Sequence, residues 1–387
     1  MPAADELIGP SVVAELVGVV SRAQPAAPFE HLRACGATLA PLGLRDRAHA
    51  LRDALLADVP GGSAAGGATA DGPAALDALV RRCLLDDRFT GWMVWPVAEA
   101  VSARALEGSG ASGPTTIDAA LALLADVTGR LTAEFAIRPL LAHDLGRVLA
   151  VVTTWTAHPD EHVRRLASEG TRRYLPWGTR VPALMTDATL TVPILDALYR
   201  DESEYVRRSV ANHLNDLSRT DPAVVVETAG RWLAAPDAHT ERLVRHALRT
   251  LVKKGDPGAL SLLGFGPVPG VQVDGPLLAA TSVTVGGELG FTATVHNTGT
   301  TPARVVVDYV VHHRKANGTQ SSKVFKITST TIPAGGSLDL VRRHSFKVIT
   351  TRRYHPGEHA IELQVNGVAS GRTSFEVLAP AAEEVSR

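Results

Sequence analysis

HVRRLASEG at 162–170 and YVRRSVANHLND at 205–216 carry the reading that decides the fold. Both hold Val-Arg-Arg, and a degraded third copy, Val244-Arg245-His246, follows; the valines stand 43 and then 38 residues apart. Those intervals are the period of HEAT-like helical pairs, which stack into a curved solenoid whose inner surface can grip a long ligand. Around them, from about residue 11 to 265, apolar residues recur at spacings of three and four, as in Val12 to Val20, Ala74 to Leu85, Ile117 to Leu124 and Val192 to Leu198. That period predicts amphipathic helices.

Two small-residue stretches interrupt the pattern, Pro60 to Pro73 and Gly108 to Pro114, and read as surface loops because they have nothing to bury. After Pro257 the period changes to two. Leu289, Phe291, Ala293 and Val295 alternate with small or polar residues, as do Val305, Val307, Tyr309 and Val311, then Ile361, Leu363 and Val365, then Phe375 and Val377. Turn signals fall between these strands at Asn297 to Gly299, Asn317-Gly318, Pro333 to Gly336, Pro356-Gly357 and Asn366-Gly367, which predicts an immunoglobulin-like β-sandwich. The organisation expected is therefore multidomain: an all-α HEAT-like solenoid over 1–265, a Pro-rich linker over 266–275, and an all-β immunoglobulin-like sandwich over 276–380.

At 387 residues with 45% hydrophobic and 20% charged content, the chain is long enough for a sizeable core, and no run reaches the roughly 20 apolar residues of a membrane span. No secretory signal is legible after Met1, and two cysteines, Cys35 and Cys83, are too few for a disulfide framework, so a reduced cytoplasm is the expected setting. Both cysteines lie in apolar helical contexts and read as buried structural residues. The net charge of −1 conceals a trend: residues 1–110 carry 9 basic against 13 acidic residues, 161–256 carry 15 against 13, and 270–387 carry 12 against 9. The acidic end is the front, and all six lysines lie after residue 250. No HExxH, CxxC, Walker loop, GxGxxG after a strand or GxSxG elbow is present, so no metal site and no cofactor is expected.

Counting each repeat helix from its valine aligns the faces. Arg165 and Glu169 stand at i and i+4; Arg208, Asn212 and Asp216 at i, i+4 and i+8; His246, Thr250 and Lys254 hold the same places in the third copy. Stacked repeats would set these faces side by side as a mainly cationic strip with carboxylates embedded in it, a surface suited to a phosphate backbone. Taken singly, the same pairs read as solvated helix pairs worth about 0.2–0.5 kcal/mol each. Trp177, after Leu175-Pro176, reads equally as a core aromatic, and Glu134 as a surface or capping charge.

The blocks Ala133 to Pro139 (AEFAIRP), His162 to Gly170, Leu175-Pro176-Trp177, Tyr205 to Asp216 and His246 to Gly255 (HALRTLVKKG) resemble the AlkC family of DNA alkylation repair glycosylases in order and spacing. Phe89 to Pro96 (FTGWMVWP) is similar to a segment near that family's front, so the resemblance covers roughly residues 10 to 265. One departure is visible: the family usually has Pro-Arg before Leu-Pro-Trp, where this chain has Arg173-Tyr174. Some members carry a C-terminal immunoglobulin-like domain, which the strand pattern matches.

The resemblance implies metal-independent hydrolysis of the N-glycosidic bond of cationic alkylated bases, 3-methyladenine and 3-methylcytosine, in duplex DNA, without flipping the base into a pocket. It implies Glu169 and Asp216 as carboxylates facing the deoxyribose and the attacking water, with Glu134 as a third acid, Trp177 packed on the sugar, and Arg165, Arg172 and Arg208, with Arg164 and Arg207 beside them, on phosphates. Asn212 would orient a carboxylate, and Lys253 and Lys254 would hold phosphates further along the duplex. Arg342, Arg343, Arg352 and Arg353 of the last domain would either clamp the duplex or belong to a merely stabilising module. A monomer in the bacterial cytoplasm, associated with the nucleoid, is the form expected. The rival expectation is a HEAT-like DNA- or protein-binding scaffold without activity.

Overall fold

The computed structural model describes residues 7–59, 72–112, 114–349 and 353–380. Its chain divides into two compact units, residues 1–224 with 235–243, and residues 225–234 with 244–387.

The first unit is helical. Its described helices are α1 (Pro10–Ala23), α2 (Glu30–Cys35), α3 (Leu44–Asp58), α4 (Gly72–Cys83), α5 (Val94–Ser112), α6 (Pro114–Thr128), α7 (Ile137–His143), α8 (Leu145–Thr154), α9 (Glu161–Glu169), α10 (Pro182–Thr186), α11 (Val192–Leu198) and α12 (Glu204–Leu217). The three-and-four spacing is what buries them: α1 turns Val13, Leu16, Val17 and Val20 inward, and α12 turns Val206, Ser209, Val210, His213, Leu214 and Leu217 inward. Asp160 caps α9 by accepting from the His162 N–H at 2.8 Å, satisfying one of the donors that a helix start leaves unpaired. Gly170 ends α9 where no larger residue fits, since a Cβ there would stand 2.8 Å from Ile137 Cγ2 and 3.0 Å from the Leu166 carbonyl oxygen.

The repeat has a structural basis. The valines Val163 and Val206 are buried, and the first arginine of each Val-Arg-Arg fastens the turn before its own helix. Arg164 Nη1 donates to the carbonyls of His158 and Pro159 at 3.0 and 2.9 Å, six and five residues back. Arg207 Nη1 makes the same two bonds, to the carbonyls of Asp201 and Glu202 at 2.5 and 2.9 Å. Residues of the turns between paired helices have carbonyls outside any helical ladder, and these guanidinium groups satisfy them.

The expected loop over 108–114 departs from the structure: α5 runs to Ser112 and α6 starts at Pro114, with residue 113 outside the described set. A glycine inside a helix costs only about 1 kcal/mol relative to alanine, and proline suits the first helical position, so these residues permit a helix junction as readily as a loop. Of the other expected loop, Pro60 to Asp71 lie outside the described residues. Cys35 and Cys83 are buried and unbridged, and burial pushes the Cys83 thiol up to about 12.

The second unit holds α13 (Pro222–Ala234) from Val225 onward, the second half of α14 (Thr240–Ala247), α15 (Arg249–Lys254), α16 (Pro257–Leu262) and a β-sandwich. One sheet has the order β1 (Val271–Leu278), β3 (Glu288–Asn297), β6 (Ser337–Ser345); the other has β2 (Ser282–Thr284), β8 (Val368–Leu378), β7 (Gly357–Val365), β4 (Ala303–Arg314), β5 (Gln320–Ile332). All pairings are antiparallel except β2 with β8. The alternating residues meet between the sheets: Leu289, Phe291, Val295, Val305, Val307, Val311, Ile361, Leu363, Phe375 and Val377 form one buried cluster. Asn366 and Gly367 both have positive φ, 45° and 81°, which is the primed turn that closes the β7–β8 hairpin. Strand β1 begins at Val271, so the last five residues of the segment expected as linker lie in the sheet. Arg342, Arg343 and Arg353 are exposed; Arg352 lies outside the described residues.

Candidate active site

The three carboxylates named from the sequence are brought together by the first unit, each nearly out of contact with water: Glu134 is 8% exposed, Glu169 6% and Asp216 4%. A buried charge must be paired, and two guanidinium groups do the pairing. Arg165 Nη1 lies 2.6 Å from Glu134 Oε2, and its Nη2 lies 3.8 Å from Glu169 Oε1. Arg172 Nη1 donates to Glu169 Oε1 at 2.5 Å and its Nε to Asp216 Oδ2 at 2.9 Å. The result is a linear alternation, Glu134, Arg165, Glu169, Arg172, Asp216, with three formal negative charges against two positive ones.

Each member is fixed by a further contact. Thr132 Oγ1 donates to Glu134 Oε2 at 2.9 Å, and Ser209 Oγ donates to Glu169 Oε2 at 2.6 Å. That donation uses the Ser209 proton, so the 3.0 Å contact between Ser209 Oγ and Ser168 Oγ has Ser168 as donor. His213, one turn after Ser209, is fully enclosed: its Nδ1 faces the Ser168 carbonyl at 2.9 Å and its Nε2 faces Thr191 Oγ1 at 3.0 Å. A carbonyl can only accept, so Nδ1 carries the proton and Nε2 accepts from the threonine. Burial, reinforced by the Arg172 charge, lowers His213 to about 3, and the imidazole is neutral. Burial likewise pushes the Glu134 carboxyl up against the opposing pull of Arg165, with Glu169 adding to the rise. Tyr205 covers Arg165, the guanidinium carbon standing 5.1 Å from the ring centroid.

The turn from Gly170 to Thr179 carries Arg172 and Trp177, and buried Arg138 pins both of its ends. Arg138 Nη1 donates to the Gly170 and Arg172 carbonyls at 2.9 Å each, and its Nε donates to the Thr179 carbonyl. Burial, with Arg180 and Arg172 nearby, pulls the Arg138 guanidinium down to about 10. Trp177 has a left-handed backbone, φ 61°, uncommon for a large side chain, and the residue is 40% exposed, its ring 6.1 Å from that of Trp92. It is thus displayed at the surface, contrary to the core reading that spacing allowed. Tyr174, where the family usually has arginine, lies between two guanidinium groups: Arg180 at 4.6 Å and Arg219 at 4.3 Å from its ring centroid.

The basic residues divide differently from the expectation of a phosphate-facing strip. Arg164 is buried and bound to Asp201 through Nε at 2.7 Å and Nη2 at 3.1 Å, besides the two turn carbonyls. Arg172 is buried between its two carboxylates, and Arg165 is turned onto Glu134. Arg207 holds turn carbonyls. These four guanidinium groups are directed at acids and backbone of the unit itself, because burial of so many carboxylates and turn carbonyls needs cations and donors within reach. Arg208 is exposed, with Glu204 3.5 Å away. Asn212 is half-buried one turn ahead of Asp216, and Lys253 and Lys254 are exposed at the end of α15 in the second unit. Sequence reasoning missed Ser209, His213, Thr132 and Asp201. The first two had a signal, a serine and a histidine on the apolar stripe of α12 at helical spacing.

Among the described residues, no group of three or more His, Cys, Asp or Glu is placed to hold a metal ion. Each of the three carboxylates is directed at a guanidinium instead. No described helix is long and apolar enough to cross a membrane.

Helical repeats carrying buried acids, followed by an immunoglobulin-like sandwich, define a class that comparison with known proteins identifies. The family model described as DNA alkylation repair enzyme matches residues 128–253, which contain all three acids, and the model for the C-terminal Ig-like domain of the uncharacterised protein YhaZ matches residues 272–379. The chain belongs to the AlkC-like DNA alkylation repair enzyme family, in the group with this C-terminal domain. It is similar to the Pseudomonas fluorescens alkylpurine DNA glycosylase AlkC bound to DNA containing an abasic site analogue, with TM-score 0.82 and 32% identity over 98% of this chain and 100% of that one. It is also 40% identical to the uncharacterised protein YhaZ of Bacillus subtilis over 64% of this chain and 68% of the relative.

Proposed function

We propose that the chain is a DNA glycosylase that hydrolyses the N-glycosidic bond of cationic alkylated bases, 3-methyladenine and 3-methylcytosine, in duplex DNA, without a metal ion and without flipping the base. The observation that carries this reading is the alternation of three buried carboxylates with two guanidinium groups, one negative charge in excess. A base methylated to a cation leaves as a neutral molecule, so no general acid is needed. As the bond from C1′ to the base nitrogen breaks, the bond's electron pair goes to the base and positive charge develops on the sugar. Fixed carboxylates stabilise that charge without reorganising, and their low-dielectric surroundings strengthen the effect.

Glu169 and Asp216 face the sugar and the water, held apart by Arg172, which pairs with both. The water oxygen bonds to C1′ and gives up a proton, which Glu134, pushed up by burial, is suited to accept. Trp177 packs its exposed ring on the sugar, where the π-face favours positive charge. Arg208 is the phosphate contact on this face; Arg172 and Arg165 are positioning residues for the acids. Asn212 orients Asp216 from one turn away, and Lys253 and Lys254 hold phosphates further along. The enzyme acts as a monomer in the cytoplasm, where the nucleoid is its substrate.

The test is release of 3-methyladenine and 3-methylcytosine from methylated duplex DNA in EDTA, by wild type, Asp216→Asn and Glu169→Gln. Release by wild type, reduced by two or more orders of magnitude in variants that still bind DNA, is expected from the loss of a fixed electrostatic group. A folded wild type that binds DNA and releases no base would leave a scaffold.

A further inference from the structure

A basic face lies where the charge count least suggests one, on α3 in the acidic front of the chain. Arg45, His49 and Arg52 follow one another at i, i+4 and i+7, which at 100° per residue puts them within an arc of roughly 60°. Asp46 and Asp53 stand about 100° and 80° round the helix from Arg45, roughly 40–60° past His49, on the flank. The three basic side chains line one side of a cavity of about 110 Å³ whose other walls include Trp95, Phe135 and Trp177, with one buried carboxylate, Glu99, that accepts from Trp95 Nε1 at 3.2 Å. Arg45 Nη2 donates to the Trp177 carbonyl at 2.5 Å, so the arginine at the head of this face also holds the backbone of the displayed tryptophan. Arg52 Nε lies 2.7 Å from Asp53 Oδ1, but that carboxylate is 64% exposed, and a solvated pair of this kind is weak enough for a phosphate to displace.

We propose that this face of α3 is a phosphate-binding track that leads one DNA strand to Trp177, with Arg45 and Arg52 on separate phosphates and His49 between them. Seven residues at 1.5 Å each set the two arginines about 10 Å apart along the helix, close to the axial rise of about three nucleotides at 3.4 Å. Guanidinium forks suit phosphate oxygens, and the aromatic walls beyond them offer sugar and base edges an apolar surface. The track rests on the reading of the chain as a DNA-acting enzyme, and it extends the interface to a helix outside the repeats.

The test is equilibrium binding of the full chain to a duplex carrying a tetrahydrofuran abasic analogue, across a series of potassium chloride concentrations. Each phosphate contact contributes about 0.9 to the slope of log affinity against log salt, so Arg52→Gln is expected to lower the slope by about 0.9 and weaken binding roughly fivefold at 0.15 M salt. Arg52→Lys should keep the slope, and so should Arg81→Gln on α4, which removes an equal charge from an exposed pair with Asp126 of α6. An unchanged slope in Arg52→Gln, or an equal loss in Arg81→Gln, overturns the track. Base release measured on the same preparations separates the two readings. A slope change without any base release leaves the track standing and removes the glycosylase; base release with an unchanged slope removes the track alone. No binding by a folded wild type overturns both.

Discussion

Arg172→Met removes the one group that touches both Glu169 and Asp216, while keeping a side chain of similar length. Arg172 is buried, and its partners lie at 2.5 and 2.9 Å. At an effective dielectric of 20, two unit charges at 4 Å attract by about 4 kcal/mol, and breaking a buried pair by removing one partner costs about 3–5 kcal/mol, because the other charge is stranded. Here Asp216 loses its cation, while Glu169 keeps the Arg165 guanidinium at 3.8 Å and the Ser209 hydroxyl. The expected loss is therefore about 3–5 kcal/mol by urea unfolding at pH 7. Most of that cost belongs to the unpaired acid, so adding Asp216→Asn to Arg172→Met should restore part of it, with a coupling energy above about 1 kcal/mol in the double-mutant cycle. A loss under about 1 kcal/mol, or strictly additive effects, would refute the account of Arg172 as the group that lets the acids stay buried.

Glu134→Gln should slow base release by about two orders of magnitude and, although it takes a partner from Arg165, should favour the fold at pH 7 relative to its effect at pH 4. Burial raises the Glu134 carboxyl above its unfolded value, so the unfolded state loses its proton first as pH rises; the cost is present above the folded pKa and absent below the unfolded one, about 4.3. Urea melts at pH 7 and pH 4 check this, the variant faring better against wild type at pH 7 than at pH 4. His213 works in the other direction of charge. Its folded value of about 3 lies below the unfolded value near 6.5, so the unfolded state takes up a proton the folded state refuses, and stability is lost as pH falls from about 6.5 to about 3, by a few kcal/mol. His213→Gln should flatten that acid limb; an equally steep limb in the variant would show that other groups cause it.

Much of the fold was legible because its signals are local. The period of three and four on α1, α9 and α12 and the period of two on β3, β4, β7 and β8 are properties of single segments, and Asn366-Gly367 specifies its own turn. Residues 108–112 lie in a helix although their small-residue composition suggests a loop, because a glycine costs a helix only about 1 kcal/mol relative to alanine. The acids of the site were legible too, through blocks that resemble a known family.

What the sequence by itself determined is the identity of the elements and of the residues capable of the chemistry: Glu134, Glu169, Asp216, Trp177 and a set of arginines. It left undecided which arginines face DNA. Val-Arg-Arg looks the same whether its first guanidinium meets a phosphate or a turn carbonyl six residues back, because the pattern fixes the side of the helix and not what lies opposite. Tertiary structure decided that Arg164 and Arg207 fasten turns, that Arg165 and Arg172 lie between acids, and that Arg45 and Arg52 of the acidic front come to stand beside Trp177. The physical reason is that burial assigns partners: a charge withdrawn from water must meet a counter-charge from a distant part of the chain, and that meeting is written in three dimensions rather than in spacing.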